Sequence, residues 1–300
     1  MKVYALPANE DWICDQLVDD WNKYSGISCD NPYEADIIWV ISDWCWRNVP
    51  MHLLVNKKVV TTIHHIVREK FDKVAQLDFN ERDSITNLYH VYNQRTYDFV
   101  SSLTTKPIKL VPYWANQNIW SPNGNKLDLR TKYKLPQNVF LVGSFQRDTE
   151  GSDLISPKLE KGPDILADAL VKLESKNNNL HVLLAGWRRQ YIIKRLTDAK
   201  IEFTYFERPK QKNLLELYQT LDLYAVTART EGGPQALLEC GLMNVPVVST
   251  PVGIAEQVLP DSAINVDVTL ATPAIPNVDH MKLPHSMNLY RTMFESLVKE

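Results

Sequence analysis

Two short apolar runs, residues 221–226 and 245–250, are joined through Glu231-Gly232-Gly233-Pro234-Gln235-Ala236-Leu237-Leu238-Glu239 and a stretch of small residues. A turn with two glycines and a proline that leaves one strand, opens a helix and leads to another strand is a strand-helix-strand unit. Such units build parallel sheets covered on both faces. The alternation runs through the chain. In the first half the apolar pattern predicts strands at 3–6, 35–42, 59–63 and 108–111, and helices at 12–24, near 50–55 and at 84–103. In the second half it predicts strands at 139–143, 181–185 and 202–206 and helices at 163–175, 190–198 and 213–220. Two such series imply an α/β protein of two Rossmann-like, doubly wound domains, with ligands in the crevice at the carboxyl ends of the strands. Residues 114–124 have turn chemistry throughout. The expected division is therefore 1–117, then 118–285, then an amphipathic helix within 286–300 that follows the proline-rich 273–284.

Composition agrees with a globular enzyme-sized chain. Three hundred residues with 44% hydrophobic and 23% charged content can bury two sizeable cores. A net charge of −3 without long basic or acidic runs argues against nucleic acid as a partner. Residues 1–7 read as a first strand, not as a signal peptide or membrane span. Cys14, Cys29, Cys45 and Cys240 show neither paired metal spacing nor disulfide density, which fits a reducing cytoplasm.

The glycine turn carries chemistry. Gly233 suits an N-cap and Pro234 a first helical position, which leaves the amides of Gly233, Gln235 and Ala236 without intrahelical acceptors, beside Gly232. Free amides at the positive end of a helix dipole bind phosphate. Glu231 precedes that seat and Glu239 lies about a turn and a half beyond it. Two acceptor-only carboxylates flanking a phosphate point to a ligand with hydroxyls on both sides, the shape of a nucleotide-sugar.

Residues 213–218, the Glu231 to Glu239 pair, Cys240-Gly241-Leu242-Met243-Asn244-Val245-Pro246-Val247-Val248 and Gly253 together resemble the retaining GT-B glycosyltransferases, family 4 in particular, whose signature is E-x7-E followed by a G-x-P-V-V strand. Asn244 occupies the usual glycine position, and asparagine is the next-best residue for a left-handed helix end. Residues 108–122 are similar to the hinge strand of that family, with Tyr113-Trp114 in place of its Asn-Gly. The first hundred residues match loosely and lack the glycine-rich loop often found after the first strand.

The resemblance implies a GT-B fold with two domains facing a central cleft and a final helix returning to the first domain. It implies that the loop from Gly143-Ser144-Phe145-Gln146-Arg147 to Lys161-Gly162 binds the donor, Arg147 and Lys161 neutralising the leaving diphosphate across an insertion at 148–160, with Lys158 in reserve. His64, after the strand 59–63, is the residue expected against the donor sugar, rather than His65. Trp39, Trp44 and Trp46 are expected in core or interface packing, with sugar stacking or lipid contact as the other uses of such rings. Trp187-Arg188-Arg189 is either a pocket lining or a surface loop, and Asp15, Asp19 and Asp20 read as a solvated helix face.

The expected activity is metal-independent, cofactor-free transfer of a hexose, with retention, from a UDP- or GDP-sugar to a hydroxyl of a glycan, lipid-linked or small-molecule acceptor. The catalytic set is Glu231, His64, Lys161 and Arg147. The donor set is Glu239, Gly232, Gly233, Gln235, Ala236, Gly143 and Ser144. A cytoplasmic location, with peripheral membrane association as a minor reading, goes with it. The alternatives are a GT-B epimerase or phosphorylase, and a nucleotide-sugar-binding protein without turnover.

Overall fold

The computed structural model describes residues 1–10, 13–176 and 179–298. The chain forms two compact units, Met1–Asn116 with Asp279–Glu300, and Gln117–Val278.

The first unit is built from β1 (Val3–Ala5), α1 (Ile13–Tyr24), β2 (Ile37–Val40), α2 (Met51–Asn56), β3 (Lys58–Ile63), α3 (Lys73–Ile85), β4 (Leu88–Val91), α4 (Gln94–Ser101) and β5 (Ile108–Leu110). Its five strands are parallel, in the order β1-β2-β3-β4-β5. A parallel bridge from Val3 to Ser28 sets the segment after α1 on the other side of β1. The chain therefore moves outward from β1 once, then reverses to lay down β2 to β5, and this reversal is what makes the sheet doubly wound.

Alternation along β2 separates its two faces. Ile38 and Val40 join Leu53 and Leu54 of α2 in one core, while Trp39 packs edge-on against Trp21 of α1. On that second face the polar groups are satisfied by one another. Trp39 Nε1 donates to Thr62 Oγ1 (2.7 Å), Thr62 lies 2.9 Å from His90 Nδ1, and His90 Nε2 lies 3.0 Å from the Val111 carbonyl. Burial lowers the His90 pKa to about 3, so the ring is neutral, with Nε2–H donating and Nδ1 accepting.

Several expectations need correction. The single helix expected at 84–103 is instead the end of α3, strand β4 and helix α4. Asp72 caps α3 by accepting from Val74 and Ala75, and Asn93 caps α4 by accepting from Thr96. Between them Leu88, Tyr89, His90 and Val91 are all buried in the sheet. Trp12, the expected first residue of α1, lies outside the described residues. Asp20 is not solvated: it is 6% exposed, and its carboxylate accepts from Trp114 Nε1 (3.1 Å) and Asn116 Nδ2 (2.7 Å). Asp15 accepts from the amides of Asn9 and Glu10, and Asp19 alone of the three is exposed.

The second unit contains α5 (Lys126–Lys132), β6 (Phe140–Ser144), α6 (Pro163–Lys176), β7 (Leu180–Gly186), α7 (Gln190–Asp198), β8 (Phe203–Glu207), α8 (Gln211–Gln219), β9 (Leu223–Val226), α9 (Gln235–Met243), β10 (Val247–Ser249) and α10 (Ala255–Val258). Its parallel strands run β10-β9-β6-β7-β8, so the winding reverses between β6 and β9. Leu166 and Leu170 of α6, Val182 and Leu184 of β7, and Ile192 and Leu196 of α7 form its core. Asn244 ends α9 in the left-handed conformation (φ 56°), as its substitution for glycine requires. Gly241 has no such freedom to change, because a Cβ there would lie 2.7 Å from the Pro276 carbonyl oxygen.

The last helix, α11 (His285–Val298), belongs to the first unit. Tyr290 and Phe294 lay their rings against Trp39, Tyr290 donates to the Pro112 carbonyl (2.9 Å), and Arg291 donates to the Ser25 carbonyl. Among the described residues no helix is long and apolar enough to cross a membrane.

Candidate active site

In the second unit the loops that leave β6 and β9 meet at the reversal of the sheet, the place where open α/β sheets bind ligands. They are tied by backbone. The amides of Arg229 and Thr230 donate to the Glu160 carbonyl at 2.8 and 3.1 Å, and Arg229 holds Asp164 with two parallel bonds of 2.7 and 2.6 Å. Gln146 Nε2 donates to the Lys161 carbonyl (2.7 Å). Gly162 makes the approach possible. It is left-handed (φ 59°), and a Cβ on it would come within 1.8 Å of the Thr227 carbonyl oxygen.

This zipper brings Lys161 and Glu231 into a direct ion pair, with both side chains mostly buried. The insertion between Arg147 and Lys161 does not separate the motif, because it folds back on itself. Thr149 bridges Pro157, and the Lys158 amide donates to the Asp148 carbonyl (2.8 Å). Its root is a fully buried pair of Asp148 and Arg189, Nε to Oδ2 2.5 Å. Arg189 also donates to the carbonyls of Ser144 and Ala185, so it ties the ends of β6 and β7 to the insertion and is neither pocket lining nor surface loop.

The glycine turn is displaced by one residue from the expected position. Pro234 is the N-cap, with ψ 112°, and Gln235 is the first helical residue; no side chain caps the helix. Proline with an extended ψ ends the turn before the helix begins. Gly232 is buried, Gly233 and Ala236 are half-buried, and Gly253 of the loop after β10 closes on them, where a Cβ would stand 2.8 Å from Pro234 Cδ.

Glu239 keeps some exposure as a residue, but its carboxyl is enclosed. Tyr218 donates to its Oε2, and the rings of Tyr218, Tyr224 and Phe145 pack against one another. Burial raises the Glu239 pKa to about 7, against the lowering effect of the Tyr218 hydrogen bond. Tyr224 also accepts from the Phe145 amide (2.9 Å), which sets the start of the β6 loop.

Other expected residues are placed differently. Gly143 and Ser144 lie within β6, not in the loop. A Cβ on Gly143 would collide with the Leu221 side chain, and the Ser144 hydroxyl faces Arg189 at 3.2 Å. Arg147 does not join the Lys161 and Glu231 pair. Its Nε donates to the Thr149 carbonyl (3.1 Å), and its guanidinium lies 5.2 Å from the Trp187 ring, which Arg188 and Arg208 also approach. Lys158 pairs with Glu160 at 3.6 Å.

Sequence alone does not mark Arg229, Asp164 and Asp148, whose contacts, with that of Gln146, hold the segments that carry Lys161 and Glu231. Tyr218 and Tyr224 it placed only as parts of a helix and a strand. The one available signal was a tyrosine in the helix preceding the motif.

In the first unit His64 follows β3. Its Nε2 is 2.8 Å from the Ile41 carbonyl and its Nδ1 is 2.9 Å from the Tyr113 hydroxyl, so Nε2–H donates and Nδ1 accepts. The ring remains half-buried beside Tyr92 and Trp44. His65 is half-buried as well. Trp39 and Trp46 are core, while Trp44 is 50% exposed.

Residues 153–273 match the family described as glycosyl transferases group 1. No curated protein matches the chain. Among solved structures it is similar to HepE of Anabaena in complex with UDP-glucose, at TM-score 0.66 and 16% identity over 99% of this chain and 90% of that one. It is also similar to sucrose-phosphate synthase from Thermosynechococcus elongatus (0.61, 15%, 97% and 71%). WaaG, a glycosyltransferase involved in lipopolysaccharide biosynthesis, matches at 0.60 and 13% over 100% and 91%. At such identities the likeness is one of fold. The fold is that of the GT-B glycosyltransferases, and its second unit matches the glycosyl transferases group 1 family over residues 153–273.

Proposed function

We propose that the protein transfers a hexose from a nucleoside diphosphate sugar, a UDP- or GDP-sugar, to an acceptor hydroxyl with retention of configuration and without a metal. The observation that carries this reading is the Lys161 and Glu231 pair held at the sheet reversal, beside the uncapped start of α9. A diphosphate arriving there gives Lys161 an anionic partner and releases the Glu231 oxygens to accept hydrogen bonds from the sugar. Lys161 and the first amides of α9 then meet the negative charge that grows on the leaving diphosphate as the sugar becomes oxocarbenium-like. Glu239, further along α9, accepts from a ribose hydroxyl, and Arg147 adds positive charge at the mouth of the β6 loop. His64 positions the donor sugar after giving up one of its present partners.

Retention follows if the acceptor attacks from the face the diphosphate leaves, with a diphosphate oxygen taking its proton. The complexes of HepE with UDP, UDP-glucose, and UDP with glucose support a nucleotide-sugar as donor. The test is thermal-shift screening with UDP-, GDP-, ADP- and dTDP-sugars, followed by NMR of the product's anomeric configuration. A ligand at about 100 times its dissociation constant stabilises by about 2.7 kcal/mol. Stabilisation by one sugar class and a retained product are expected. An inverted product, or no response to any nucleotide-sugar, overturns the proposal.

A further inference from the structure

The two sheets present four edges, β1, β5, β8 and β10. The outer side of β1 is bridged by Ser28, and that of β10 by Ile264 and Ala274. β5 has only three residues, whereas β8 has five, Phe203-Thr204-Tyr205-Phe206-Glu207, and among the described residues it pairs with β7 alone. The Val182 amide donates to the Glu202 carbonyl (3.0 Å) and the Arg208 amide to the Gly186 carbonyl (3.2 Å). In this parallel register the even-numbered residues turn their backbone groups toward β7, so Phe203, Tyr205 and Glu207 turn theirs outward. Side chains hold the edge in shape. Thr204 Oγ1 lies 2.9 Å from His181 Nε2, the Phe206 ring stands edge-on to Tyr133, and Phe203 and Tyr205 pack on the core. Within β8 there is no proline or lysine, the residues that usually blunt a free edge.

We propose that β8 pairs antiparallel with β8 of a second copy of this chain, so that the second units of the two copies share one continuous sheet. A two-fold axis makes such a contact self-complementary. Outward backbone groups must meet outward groups, so odd-numbered residues stand opposite odd-numbered ones. The register centred on Tyr205 pairs the whole strand: Tyr205 faces Tyr205 of the second copy, and Phe203 faces its Glu207. The same register sets Glu202 opposite Arg208 of the second copy, twice by symmetry. Both residues are exposed, and among the described residues neither has an ion-pair partner. They fall at non-hydrogen-bonded positions, where facing side chains come closest. Neighbouring registers are worse. A centre on Thr204 puts Arg208 opposite Lys200, a like-charge pair, and a centre on Phe206 puts Phe203 opposite Pro209, which has no N–H to donate. A strand with opposite charges at its two ends therefore fits its own reversed copy.

The test is sedimentation velocity of the full chain over a concentration series, without substrate, so its outcome is independent of the reading of the reaction. A reversible monomer–dimer equilibrium is expected. Glu202→Arg and Arg208→Glu, each of which sets like charges opposite one another, should each weaken it by about tenfold or more. An equimolar mixture of the two variants should dimerise again, because each then meets its opposite charge. Hydrogen exchange of the native chain gives a readout that needs no variant: the peptide spanning 203–207 should gain protection as concentration rises. A monomer at every concentration, a dimer that both reversals leave unchanged, a mixture of folded variants that stays monomeric, or exchange of 203–207 that ignores concentration overturns the pairing.

Discussion

Glu239 illustrates how neighbours set what one residue can do. With its pKa raised to about 7 by burial, its carboxyl is about half protonated at neutral pH. A ribose hydroxyl donating to it favours the ionised form, so donor affinity should fall as pH drops below 7, and binding near pH 7 should release protons. Folding responds with the opposite sign: the raised folded-state value means that this group's contribution to stability is present below the unfolded value of about 4.5 and is lost as pH rises through about 7. Calorimetry in buffers of different ionisation enthalpy checks the proton release. Glu239→Gln should remove the pH dependence and weaken the donor by about 1.5–3 kcal/mol. Lys161→Ala should lower kcat by about 10²–10³, the range for losing one positioned group on a developing negative charge. EDTA should leave the native enzyme unaffected, and activity lost in EDTA and restored by magnesium or manganese would contradict a purely protein-borne charge. Glu231, Lys161 and Glu239 were legible as residues from spacing and context. Tyr218 and the Arg229 to Asp164 clamp were not, because a tyrosine in a helix or an arginine in a loop carries no mark of its distant partner.

Elements carry the next level of the argument. The turn at Gly162 lets the β6 loop touch the β9 loop, and Gly162→Ala combines left-handed strain with a clash against the Thr227 carbonyl. It should cost about 2–4 kcal/mol, seen as a lowered denaturation midpoint of the second unit, together with weaker donor binding as Lys161 moves from Glu231. At this scale the sequence placed most strands and helices within a few residues. It failed at 84–103, where Thr86 and Asn87 interrupt what looks like one helical run. Leu88 to Val91 is too short for its periodicity to separate a buried strand from a helix segment. Pairing with β3 on one side and β5 on the other decides for strand.

For the whole molecule, the end of the chain completes the first unit, not the second. Truncation before His285 removes Tyr290 and Phe294 from Trp39 and opens a face that Trp21 also shares. With aromatic pairs worth about 0.5–1.5 kcal/mol each beyond their burial, the first unit should lose several kcal/mol. Calorimetry should then resolve an early transition for the first unit, while nucleotide-sugar still raises the melting temperature of the second. Equal destabilisation of both units would contradict this division. The sequence alone determined the α/β class, the double series of parallel strands and the residues around the glycine turn, because these follow from local periodicity, turn chemistry and short spacing. The tertiary structure alone decided that Asp20 is a buried acceptor, that Asp148 and Arg189 root the insertion, that Lys161 meets Glu231, and that Trp44 among three tryptophans faces solvent. Each of these depends on contacts between segments far apart in the chain, whose geometry is set only when the sheets assemble.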